Sequence, residues 1–269
     1  MVSTQQGVPA GQLPSCVPIS RSSARLTVDP SRYAVPRETS SLRGVTFQGI
    51  PIRALEFYEG LEADNSRTYW TRQQGVYNDS VRAPLQAIAD AVEAEFGTAK
   101  LFRPHRDVRF SADKSPYKTH QGLVVGKPPG LGYYVQISAD GLAVGGGFHA
   151  TSPAQTAAWR AAVDAPGTGG EIARLVTAAT AAGAEVRGDQ VKTAPRGYAV
   201  DHPRIELIRR HELMLIEQLG APDWLETPAA VDEIADRWRR LSPLITMLDA
   251  ILSAVPPPTG HHAPTTRVR

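Results

Sequence analysis

Gly132-Tyr133-Tyr134-Val135-Gln136-Ile137-Ser138-Ala139-Asp140-Gly141-Leu142-Ala143-Val144-Gly145-Gly146-Gly147 is the stretch on which the fold turns. Two short apolar runs, 133–137 and 142–147, flank Ser138-Ala139-Asp140-Gly141, whose residues suit a tight hairpin turn. Strands joined by so few residues must run antiparallel, because a parallel pair needs a long crossover. The glycine triplet has no Lys-Ser or Lys-Thr after it and is therefore no phosphate loop. It reads instead as a place where a neighbouring backbone approaches the strand closely.

Outward from the hairpin, strand patterns are expected at 99–110 and 120–126, around a loop containing Pro116, and helical patterns precede them. Pro51 suits a first helical position, and Leu55, Tyr58 and Leu61 recur at spacing three, giving a helix over 51–62. Asp64-Asn65-Ser66 breaks and caps it, opening a second helix around Tyr69, Trp70 and Tyr77. A third spans 81–96, with Leu85, Ile88, Val92 and Phe96 on one face, and stops at Gly97. Beyond the hairpin, helices are expected at 153–164, 170–182 and 203–211. A strand is expected at 212–218, although Leu213-Met214-Leu215-Ile216 fits either period. Thr227-Pro228 opens a long amphipathic helix with Ile234, Trp238, Leu241, Ile245, Leu248 and Leu252 on its stripe. Pro243 should kink it, and Arg237, Arg239 and Arg240 fall on the flank facing water. Helices and hairpins in separate blocks predict an α+β fold: a single domain, mainly antiparallel sheet of hairpins packed against several helices.

Composition narrows the function classes. The chain has 269 residues, with Lys+Arg 29 against Asp+Glu 27 and a net charge of +2. That balance argues against a basic nucleic-acid coat and against an acidic solvating tail. Cys16 alone cannot form an internal disulfide. No apolar run is long enough for a membrane span and no signal-like start is visible, so a cytoplasmic protein without a membrane partner is expected. Residues 1–46 carry five prolines, and 256–269 carry four and no acid. Neither stretch has a hydrophobic period, so a disordered leader and a disordered tail are expected around a folded domain at 47–255.

One segment is unlike the rest. Residues 101–120 hold five fixed cations (Arg103, Arg106, Arg109, Lys114, Lys118) and two acids (Asp107, Asp113), a local surplus of three. If 103–110 is extended, alternation sets Arg103, His105, Asp107 and Arg109 on one face. Arginines flanking an aspartate form a fork of donors suited to a phosphate or a carboxylate.

The pattern R-x-x-R-D-x-R-F-x-x-D-K-x-P-Y-K over 103–118 resembles the signature of a widespread bacterial family of conserved proteins of unknown function. The likeness covers most of 47–240. It takes in Asp64-Asn65, Trp70, Arg82-Ala83-Pro84, the 132–137 strand, the glycine triplet, Arg160, 192–198 and His202-Pro203. Gln74 stands where close relatives are expected to carry a lysine. The resemblance implies a soluble single-domain protein, supplies no substrate or cofactor, and makes Lys192 and Arg196 candidates for the same pocket as the basic segment.

Three readings of that segment stand side by side. It can be an anion pocket, with Arg103, Arg106, Arg109 and Lys114 as clamps, Lys118 adding charge, Tyr117 supplying a hydroxyl and Asp107 and Asp113 orienting the cations. It can be a structural ion-pair network, with Asp90, Glu93 and Glu95 of the preceding helix as partners. It can be a nucleic-acid or protein surface, with Phe102, Phe110 and Tyr117 among the cations. An enzyme built on it would work by electrostatic stabilisation, with no nucleophile or general base identified. His105, His120, His149, His202 and His211 form no H-x-x-x-H pair and thiol ligands are absent, so neither a metal nor a cofactor is expected.

Overall fold

The helical block forms largely as its periodicity predicts. In the computed structural model, which describes residues 47–107, 109, 113–126 and 130–255, α1 (Arg53–Ala63) follows Pro51 and buries Leu55, Tyr58 and Leu61. Helix α2 (Arg67–Val76) is capped by Ser66, whose hydroxyl accepts from the Tyr69 N–H at 3.1 Å. The break expected between the second and third helices does not occur. Instead α2 widens into a π-helical turn, Tyr77–Arg82, and continues as α3 (Ala83–Phe96), which ends at Gly97. Pro84 accounts for this: it has no N–H to give, and its ring would crowd the carbonyl one α-turn back, which a widened turn relieves. The leader 1–46 and tail 256–269 lie outside the described residues.

Six strands form one sheet in the order β1-β2-β3-β4-β6-β5, with every neighbouring pair antiparallel. They are β1 (Ala99–Leu101), β2 (His120–Val125), β3 (Leu131–Ser138), β4 (Gly141–His149), β5 (Glu185–Arg187) and β6 (Glu212–Gly220). The ambiguous run at 213–216 is therefore strand. The strand expected over 99–110 stops at Leu101, since Pro104 cannot donate to a ladder. Among 203–211 only α6 (Ile205–Ile208) is helical. Beyond it the chain turns back to hold the 187–192 loop: Arg209 Nε donates to the Val191 carbonyl at 2.9 Å, and Arg210 Nη1 to that of Gly188 at 3.2 Å.

All the large helices stand on one face of this sheet. Alternation turns Leu123, Val125, Tyr133, Val135, Ile137, Val144, Phe148, Leu213 and Leu215 towards them, and each is buried. Helices α1 and α3 lie over β1–β3, and α7 (Ala230–Ser253) over β3 and β4. Trp238 of α7 is fully buried between Phe96 and Tyr133, and its indole donates to the Tyr134 carbonyl at 3.2 Å. The helix runs on through Pro243 without interruption. Arg237 departs from the expected wet flank. Its side chain is only 16% exposed, its Nε lies 3.2 Å from Glu217 of β6, and it covers the Trp224 ring. Helices α4 (Pro153–Asp164) and α5 (Pro166–Ala181) pack beside α7. Trp159 and Arg160 of α4 donate to the carbonyls of Leu207 and Ile208, both at 3.0 Å, and so fix α6.

The glycine triplet behaves as a close-approach site. A Cβ on Gly145 would overlap the Leu215 carbonyl oxygen, and one on Gly147 that of Leu213. Both glycines sit on the face away from the helices, where side chains would hold β4 and β6 apart.

Candidate functional site

The basic segment leaves β1 and folds back on itself. Arg106 N–H donates to the Pro116 carbonyl at 2.9 Å and Lys118 N–H to that of Pro104 at 2.8 Å, pairing His105 with Tyr117 in a single bridge. Two such bonds are a weak ladder, and the helices supply the anchor. Asn65, in the turn between α1 and α2, donates to the Tyr117 carbonyl at 3.0 Å and accepts its N–H at 3.1 Å. The Tyr117 ring then stacks on Trp70, with centroids 4.2 Å apart and planes 8° from parallel. Tyr117 is thus a buried brace, and Asn65 and Trp70 are its supports.

The ion pairs of the segment sort its charges. Asp107 takes Arg109 in a two-pronged pair, at 3.0 and 2.7 Å, and lies 4.0 Å from Arg103. Asp113 takes Arg106, the Ser115 hydroxyl and the Ser115 N–H. These bonds hold both carboxyls below their ordinary pKa, through Arg109 for the first and chiefly Ser115 for the second. The acids of α3 are turned elsewhere: Glu95 is forked by Arg239 at 2.7 and 2.6 Å, and Asp90 accepts from Gln86. Lys118 makes no ion pair among the described residues. Its ammonium sits 5.2 Å from the centre of the Phe102 ring, and burial, then Arg103 and Arg106, lower its pKa. His120 is shifted down in the same way, by burial and then by Lys118 and Arg106. Positive charge is in surplus along this edge.

A recess of about 390 Å³ opens where residues 101–105 cross the π-helical turn. Trp70 and Gln74 of α2, Tyr77, Asn78 and Arg82 of the turn, and Phe102, Arg103 and His105 of the crossing segment line it, and the lining holds no carboxylate. Tyr77 is tied down by its hydroxyl, which donates to the buried Gln121 Oε1 at 2.7 Å, while Gln121 in turn donates to the Phe102 carbonyl at 2.6 Å. Arg82 is exposed and makes no ion pair among the described residues.

Of the residues expected at the site, only Arg103 lines this recess. Arg106, Asp107, Arg109, Asp113, Lys114, Tyr117 and Lys118 belong to the ribbon and do not line the recess. Lys192 and Arg196 follow β5, at the opposite edge of the sheet, and do not line the recess. Asn78 and Arg82 are lining residues that sequence reasoning misses, and Gln74 draws notice there only for standing in place of a lysine. Pro84 inside an otherwise unbroken helical pattern is the signal that could have found them, since a widened turn often accompanies a site.

By its architecture this is an α+β protein with helices on one face of an antiparallel sheet and a basic recess at the sheet's outer edge. The chain belongs to the family described as conserved hypothetical protein (DUF2461), which matches it over residues 53–247 and so takes in every residue of the recess. Comparison with curated proteins and with solved structures gives no match. No helix among the described residues is long and apolar enough to cross a membrane. No group of three or more His, Cys, Asp or Glu among them could hold a metal ion.

Proposed function

We propose that the recess binds a small ligand bearing a phosphate or carboxylate. The observation that carries this reading is the approach of Arg82 and Arg103, from two separate elements, in a lining without a single acid. Arginine forks match the oxygens of either group, and the Gln74 and Asn78 amides add neutral donors beside them. Trp70 and Phe102 offer apolar surface to the rest of the ligand. Lys118 beside the recess has its pKa lowered first by burial and then by Arg103 and Arg106, and the arginine part of that shift is consistent with a positive field that an anion would relieve. The recess offers no evident nucleophile, so the function proposed is binding, with electrostatic stabilisation as its contribution to any chemistry on the ligand. Tyr117, buried against Trp70, is not presented to a nucleic-acid base.

The test is thermal stabilisation by inorganic phosphate at constant ionic strength, since a ligand that prefers the native state raises the melting temperature. The parent should be stabilised, and Arg82→Gln and Arg103→Gln should each remove that stabilisation while melting like the parent without phosphate. A parent that ignores phosphate, or variants that respond as the parent does, would overturn the reading.

A further inference from the structure

The face of the sheet that carries no helix is not flat. In a flat sheet, five strand spacings of about 4.8 Å would separate β1 from β5 by roughly 24 Å. Here Ala99 and Lys100 of β1 and Arg187 of β5 border one cavity of about 870 Å³, to which every strand between them contributes. The sheet is curled into a trough with its concave side open. Glycines permit the curl: at Gly132, Gly145 and Gly147 a Cβ would strike the carbonyl of the adjacent strand.

The floor is apolar, formed by Phe102, Val124, Tyr134, Met214 and Ile216 with glycine between them. These side chains are recessed. Ile216 is 4% exposed, and only Ile52 and Val200 are exposed large hydrophobics among the described residues. A recessed floor suits a small molecule that enters the trough, where a protein partner would need a face standing clear. The volume lies within the range of ligand cavities, which are mostly apolar with a few polar groups at fixed places.

Charge at the rim selects the ligand's head. Glu212 accepts the Asp189 N–H at 3.2 Å and lies 3.9 Å from His149, and Arg187 is paired with Glu185 at 2.8 Å. Lys100, at the β1 end and on the open face opposite Val124, is exposed, and its ammonium has no partner among the described residues. We infer that the trough binds an apolar-chain carboxylate, with the chain along the floor and the carboxylate at Lys100. This site is separate from the Arg82–Arg103 recess and does not depend on it.

Dodecanoate, below its micellar range, is the probe, titrated into the full chain beside the uncharged dodecanol. One dodecanoate should bind per chain. Lys100→Gln should weaken dodecanoate about tenfold, the worth of one charge-assisted contact, and leave dodecanol unchanged. Met214→Gln should weaken both ligands without altering the melt, and Arg82→Gln should affect neither. The inference is overturned if dodecanoate does not bind saturably, or if Lys100→Gln and Met214→Gln bind it as the parent does. It is equally overturned if Arg82→Gln removes binding, which would put the head in the other recess. A concentration-dependent dimer dissolved by Met214→Gln, with no dodecanoate bound, would give the trough to a second copy of the chain.

Discussion

The two faces of the sheet are made by alternate residues of the same strands, and they obey different rules. On the helix side Tyr133, Val135, Ile137, Val144 and Phe148 interlock with α1, α3 and α7, and volume decides what fits. On the open side their neighbours are Gly132, Tyr134, Gln136, Ala143, Gly145 and Gly147, and the approach of one backbone to the next decides. One face is filled by side chains; the other is shaped by their absence. A strand can therefore serve a core and a cavity at once, because a change of one residue in register separates the two.

The largest expected effect tests the filled face. Trp238→Ala removes a fully buried indole together with its hydrogen bond to the Tyr134 carbonyl, and should cost about 3–5 kcal/mol in denaturant unfolding. A loss below about 1 kcal/mol would show that α7 can repack and that volume does not govern the filled face.

Gly145→Ala tests the shaped face. The added methyl meets the backbone carbonyl of Leu215 rather than a movable side chain, so β4 and β6 must separate. A cost of about 2 kcal/mol is expected, in the usual range for overpacking. A neutral result by the same unfolding measurement would mean that the open face tolerates side chains and that the curl has another cause.

What was legible in the sequence follows the same division. The β3–β4 hairpin, the stripe of α7 and the close approach at the glycine triplet all express one-dimensional rules: turn residues, period 3.6 and a missing Cβ. The trough does not, because nothing within a single strand tells that residues of β1 and β5 border one cavity. The candidate site was half legible. Arg103 stands out by charge density, whereas Gln74, Asn78 and Arg82 look like any polar helical flank until residues 101–105 cross them. Lys192 and Arg196 join the basic segment by resemblance alone, and only the strand order, with β5 outside β6, sets them at the other edge.

Asn65→Ala carries the comparison to the edge that bears the basic ribbon, where neither face orders the chain. It strips both partners from the Tyr117 backbone and should cost about 1–2 kcal/mol, as for two part-buried polar groups left to water. It should also abolish the phosphate stabilisation attributed to the recess, because the ribbon that presents Arg103 loses its anchor. Unchanged phosphate stabilisation would show that the helices alone position the site.

The smallest effect expected is a dependence on pH. His120 lies on the open side of β2, and burial, followed by Lys118 and Arg106, holds its pKa below the ordinary 6.5. The folded chain therefore resists a proton that the unfolded chain accepts. This histidine leaves stability intact above its unfolded pKa, and subtracts from it as pH falls through about 6.5 towards the folded value. Asp107 and Asp113, whose pKa values are lowered from 3.8, remain ionised throughout that window and contribute no slope there. Between about pH 7.5 and about pH 5.5 the melting temperature of the parent should fall further than that of His120→Asn, which has no proton to take up. Equal slopes would mean that water reaches His120 freely, and that this end of the open face is as wet as a flat sheet would be.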